Sequence, residues 1–166
     1  MVVDEVLAGE AVEVVEETAE YAVGVLGRVV LMRTRKALSA ASMEALFRAT
    51  TAGLSVHGPR VLYVVMPGAQ QPGVDGPAGV AVANLWPKIQ AQSAAGVVWI
   101  RSRSFNGVVQ RNLLSELLPH LRHRSLLGVT DSAADTIAFF TDNVADFEVD
   151  GVLWAEALDA FGRRYD

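Results

Sequence analysis

Apolar residues along the chain follow two periods, and the switch between them marks out the elements. Near the start, residues 20–26 and 28–34 are β-favouring runs joined through Gly27, a hairpin signal because glycine relaxes the turn. In the second run Val29, Leu31 and Arg33 share one face, and Val30, Met32 and Thr34 share the other. The valine-rich stretch 11–17 reads as an edge strand. From residue 38 the period becomes helical. Met43, Leu46, Phe47, Thr50 and Leu54 form one stripe, Ser39 or Ser42 can cap it, and Gly58-Pro59 ends it. Residues 61–66 are apolar without a break, as expected of a central strand covered on both faces.

The same alternation continues to the end of the chain. A helix is predicted over 79–94, with Pro87 kinking or dividing it near Trp86. A short strand over 97–100 and a helix over 106–121 follow. A last strand spans 125–129, and Thr130-Asp131-Ser132 caps a helix carrying Ile137, Phe139 and Phe140. Residues 152–161 make a final amphipathic helix, with Leu153, Trp154, Ala157, Leu158 and Phe161 on its apolar side. The order predicts an α/β fold: a mixed four- to five-stranded sheet with an opening β-hairpin, later strands parallel, and helices packed on the sheet. One domain is expected, with an acidic lead-in over 1–19, a core over 20–140 and an acidic extension over 141–166 that ends in a helix.

Composition narrows the function classes. The chain has 166 residues, no cysteine and a net charge of −5. A cysteine metal site, a thiol nucleophile and a disulfide framework are therefore excluded. No apolar run approaches the ~20 residues of a membrane-spanning helix, and the acidic start lacks the features of a targeting peptide. A cytoplasmic location is the expectation. The charge is unevenly spread. Residues 28–124 hold twelve Lys/Arg against three acids, while 1–20 hold seven acids and no base, and 125–166 hold nine acids against two arginines. Either the acidic ends pack across the basic middle, or the middle carries a patch for an anionic partner. The acidic overall balance argues against nucleic-acid binding.

The loop over 67–79 follows the central strand and holds three prolines and four glycines. Loops at the ends of buried strands are where α/β proteins place binding chemistry. This one offers a single ionisable side chain, Asp75, in an Asp75-Gly76 turn dipeptide. Gln70, Gln71, Val74, Asp75 and Gly76 are the candidate partner-binding residues. Arg33, Arg35, Arg101 and Arg103 follow two strand cores at period-two spacing. If those strand ends converge, the guanidinium forks suit a phosphate or carboxylate; otherwise they snorkel to solvent or pair with the acidic ends. His120 and His123 lie on one helix side without a third ligand, so a cationic helix end is favoured over a metal site. No nucleophile motif, phosphate-binding glycine fingerprint or paired-carboxylate arrangement is legible, and neither an enzyme nor a cofactor is expected.

With 38–42 as a Ser-rich helix start, 61–66 running into the 67–79 loop, and 128–140 as a closing strand, Asp-Ser cap and helix, the chain resembles a STAS domain over about 20–140. STAS domains form the fold of bacterial anti-sigma factor antagonists. The resemblance implies a non-enzymatic regulatory module whose partner is another protein, such as a kinase-like or sigma-factor regulator. It also implies a phosphorylatable Ser or Thr where the loop enters the second helix. Here Asp75 is followed by Gly76, so the resemblance implies a divergent member that binds without that switch or with Asp75 as a fixed negative charge. Two alternatives stay open: a small anionic ligand held by the arginine pairs, and a homo-oligomer, such as a homodimer, joined through the tail helix or the 11–17 edge.

Overall fold

The computed structural model describes residues 12–68, 76–101, 108, 111 and 126–166. Six strands form one sheet in the order β1-β2-β3-β4-β5-β6: Glu13–Glu17, Tyr21–Leu26, Val29–Thr34, Leu62–Met66, Ala95–Trp99 and Leu126–Thr130. The first three pair antiparallel, and β3 to β6 are mutually parallel. The fold class is the predicted one. The sheet is one strand wider than the upper count because residues 13–17 pair with β2 as a sixth strand. The hairpin closes through a two-residue turn with Leu26 opposite Val29, and Gly27 takes φ 57, a left-handed angle that glycine reaches without a Cβ penalty. The edge strand β1 carries a bulge between Val14 and Glu16, and three glutamates line it. Both features discourage pairing with another chain.

Four helices cover the sheet: α1 (Ala40–His57), α2 (Gly76–Ala91), α3 (Ala133–Asn143) and α4 (Gly151–Gly162). Crossovers between parallel strands are right-handed, so strands laid down in a single direction put their crossover helices on one face. Accordingly α1 and α2 pack together on the face lined by Val30, Met32, Tyr63, Val65 and Val98. The opposite face, with Leu31, Val64, Met66, Val97 and Trp99, is closed by α3 and α4 through Ile137, Phe140, Trp154, Leu158 and Phe161. Every residue of β3, β4 and β5 is buried, which is why their sequences read as apolar runs and not alternations. The amphipathic stripe of α4 is thus spent on its own core.

The caps follow the sequence closely. Ser39 and Ser42 form a reciprocal capping box on α1, so both candidates act. Ser132 caps α3, accepting from the Asp135 amide, and Asp150 caps α4. Two expectations need correcting for α2. It starts at Gly76, three residues earlier than predicted, because Pro77 fits a first helical turn, whose amides have no intrahelical partner. Pro87 does not divide it. The helix stays one element to Ala91, with Ile89 and Gln90 buried beyond the proline, so packing outweighs the lost hydrogen bond. Most of the predicted 106–121 helix lies outside the described residues, although Val108 and Arg111 are helical. No described helix is long and apolar enough to cross a membrane.

Candidate functional site

Because β3 to β6 run in parallel, Thr34, Met66, Trp99 and Thr130 end them on one rim. This carboxyl-end rim is where open α/β sheets place ligands. The 67–79 loop leaves from β4 at its centre, and the first step of that loop is fixed. The Gly68 amide donates to the Lys36 carbonyl at 2.8 Å and to Thr34 Oγ1 at 3.1 Å. A Cβ on Gly68 would meet the Arg35 carbonyl oxygen at 2.3 Å, so only glycine lets the two backbones approach this closely. Gln70, Gln71, Val74 and Asp75 lie outside the described residues, and Gly76 is the first residue of α2.

On either side of β4, Arg33 at the end of β3 and Arg101 just after β5 converge. The spacing puts each arginine pair on one side of its strand end and leaves convergence as a condition, with pairing to the acidic ends as the alternative. The shared partner of Arg33 and Arg101 is internal: the Asp166 carboxylate, beyond α4. Arg101 forks onto it, NH1 to Oδ1 at 2.9 Å and NH2 to Oδ2 at 3.2 Å, and Arg33 NH2 reaches Oδ1 at 3.3 Å. Both guanidiniums also donate to the Gly162 carbonyl, Arg33 through Nε at 2.9 Å. Arg33 NH1 donates to the Thr34 carbonyl at 2.7 Å. Arg33 is buried at 7 % exposure, whereas the Asp166 side chain is 48 % exposed. Arg35 falls beyond the end of β3 and is exposed, so it does not join the pair, and Arg103 lies outside the described residues.

The electrostatics follow from crowding. Burial, and then the neighbouring positive Arg101, pull Arg33 below the usual guanidinium value, while Asp166 offsets part of this. The hydrogen bond from Arg101, aided by the charges of both arginines, holds the Asp166 carboxyl below its ordinary range. The segment carrying Asp166 is tied to the β1–β2 turn: Arg164 pairs with Glu17 at 2.6 Å, and Tyr165 Oη donates to the Thr18 carbonyl at 2.7 Å. Tyr165 pays for this path with a left-handed φ of 68°.

Elsewhere the acidic ends also meet the basic middle. Asp146 pairs with Arg28 and Arg60, and Glu16 pairs with Arg48. The basic middle is therefore covered at least in part by its own termini. Asp146 and Asp166 were not singled out in the sequence; the opposed charge counts were the available signal, and they name no pairs. Among the described residues no group of three metal-ligating side chains occurs, and His120 and His123 lie outside them. No protein-family model, no curated protein and no solved structure matches this chain.

Proposed function

We propose that this chain is a non-enzymatic, cytoplasmic regulatory module of STAS-like type that binds another protein through its carboxyl-end rim. The single observation that carries this reading is the outer side of the first three turns of α2, where Pro77, Val80, Ala83 and Asn84 are exposed while Ala81, Val82, Leu85 and Trp86 pack on the core. From Pro77 to Lys88 no residue is fully buried, although the segment is largely apolar, and Val80 is 62 % exposed. A helix start that presents Val80 to solvent beside the rim is a surface suited to a partner. The hairpin, the run of strand–helix units and the Ser132 cap are in the order of the STAS resemblance. In that reading Asp75-Gly76 occupies the entry to α2 where a hydroxyl switch would stand, so recognition does not depend on phosphorylation there. The partner expected is a kinase-like or sigma-factor regulator.

The test compares the wild-type chain with a Gln70→Ala/Gln71→Ala/Asp75→Lys variant in affinity capture from its native cell extract, identifying captured proteins by mass spectrometry. An amide NMR spectrum establishes that the variant keeps its fold. Loss of a specific captured protein in the variant supports the reading. Equal capture by both chains overturns the assignment of this surface.

A further inference from the structure

We infer that Arg33 and Arg101 form an oxyanion-binding site at the carboxyl end of β4, and that the Asp166 carboxylate occupies it as an internal ligand. The inference stands whether or not a protein docks on the rim, because its readout is anion binding. Three observations carry it. First, two arginines from strands on either side of β4 point at one carboxylate, and one of them is almost fully buried. Burying a guanidinium beside another of like charge is unfavourable unless an anion compensates. Second, Arg33 in particular is held by groups other than Asp166. Arg33 is fixed by Nε on the Gly162 carbonyl and NH1 on the Thr34 carbonyl, and Arg101 also donates to Gly162. Arg33 NH2 and both terminal nitrogens of Arg101 are the groups that Asp166 engages, and they would form the same fork on a phosphate or an external carboxylate. Third, the occupant is the exposed member of the cluster, and it arrives through the left-handed Tyr165. Strain of this kind favours release once the anion has another source.

The ligand class is a small oxyanion: a phosphate monoester or a carboxylate. An internal ligand seated about 90 % of the time weakens the apparent affinity for an external one about tenfold. Asp166→Asn removes the side-chain charge and keeps the side chain's shape; Asp166→Ala is the second variant, in case the asparagine amide keeps hold of an arginine.

The experiment titrates inorganic phosphate and, separately, acetate into wild type, Asp166→Asn, Asp166→Ala and Asp166→Ala/Arg33→Met at constant ionic strength, following amide NMR shifts at Thr34, Met66 and Trp99. The expected result is saturable binding in at least one single variant, about tenfold or more tighter than in wild type, and lost in the double variant. The tighter anion tells a phosphorylated source from a carboxylate one. Equal affinity in wild type and single variants would show that Asp166 is not a competing occupant. Absence of saturable binding in single variants whose spectra remain folded would show an ion pair that serves the fold alone. Either result overturns the inference.

Discussion

The two ends of the sheet carry the same device put to different uses. At the amino ends of β3 and β4, Arg28 and Arg60 meet Asp146; at the carboxyl ends of β3 and β5, Arg33 and Arg101 meet Asp166. In each case one carboxylate from the acidic extension bridges two arginines of the basic middle. The surroundings differ. Arg28 is 1 % exposed and lies over the Phe147 ring at 5.5 Å, next to the Asp146 that holds it. Phe147 in turn packs edge-on against Trp154 and at a tilt against Phe140, so this pair is part of the aromatic core between α3 and α4. At the carboxyl end Arg101 lies over the Trp99 ring at 5.8 Å, but among the described residues no ring stacks on the buried Arg33. This pair sits where the 67–79 loop leaves, with two like charges sharing one carboxylate and one carbonyl. The lesson is that a buried arginine pair is structural when hydrophobic packing closes around it, and is available for exchange when it opens on a rim.

The comparison can be broken most forcefully at the amino end. Arg28→Ala removes a buried guanidinium stacked on Phe147 and leaves Asp146 with Arg60 alone, so a loss of about 3 kcal/mol is expected in chemical denaturation. Asp146→Asn comes next, at about 2 kcal/mol, since it removes the carboxylate that Arg28 and Arg60 share. Asparagine tolerates the left-handed φ of 61° at that position, which isolates the charge effect from backbone strain. Asp166→Asn is expected to cost about 1 kcal/mol, because the buried Arg33 keeps its bonds to the Gly162 and Thr34 carbonyls and the lost carboxylate is half-exposed and screened. If denaturation curves show Asp166→Asn costing as much as Asp146→Asn, the two ends are equivalent and the distinction fails.

The smallest effect is one of pH. The folded Asp166 carboxyl is held below its ordinary value of 3.8, so its contribution is fully present above that value and is lost as pH falls through the lowered one. Carbon-detected NMR of the Asp166 carboxyl is expected to show a midpoint on the acid side of an unfolded aspartate. In Arg101→Met the midpoint should return towards the ordinary range, since Arg101 supplies the largest lowering cause. A midpoint unchanged by that substitution would show that the fork is not made in solution.

Much of the fold was legible because its signals are local. The hairpin through Gly27, the stripe of α1, and the Ser39 and Ser132 caps need only neighbouring residues to specify them. The start of α2 was less so: Gly76-Pro77-Ala78-Gly79 reads as loop until Pro77 is seen to fit a first turn. Pro87 misled in the other direction, because tertiary burial of Ile89 and Gln90 is invisible to periodicity. For the site, strand-end spacing brought Arg33 and Arg101 forward, but their occupant lies 133 residues from Arg33 along the chain. Charge counting says that acids and bases will meet, and only the path of the chain after α4 says which ones do.

The most direct test of the difference between the two ends is a comparison of arginine side-chain Nε resonances with and without inorganic phosphate in Asp166→Asn. The account predicts that Arg33 and Arg101 shift with a common saturation curve while Arg28 and Arg60 stay in place. Equal movement of Arg28, or no movement at Arg33 and Arg101, would contradict it.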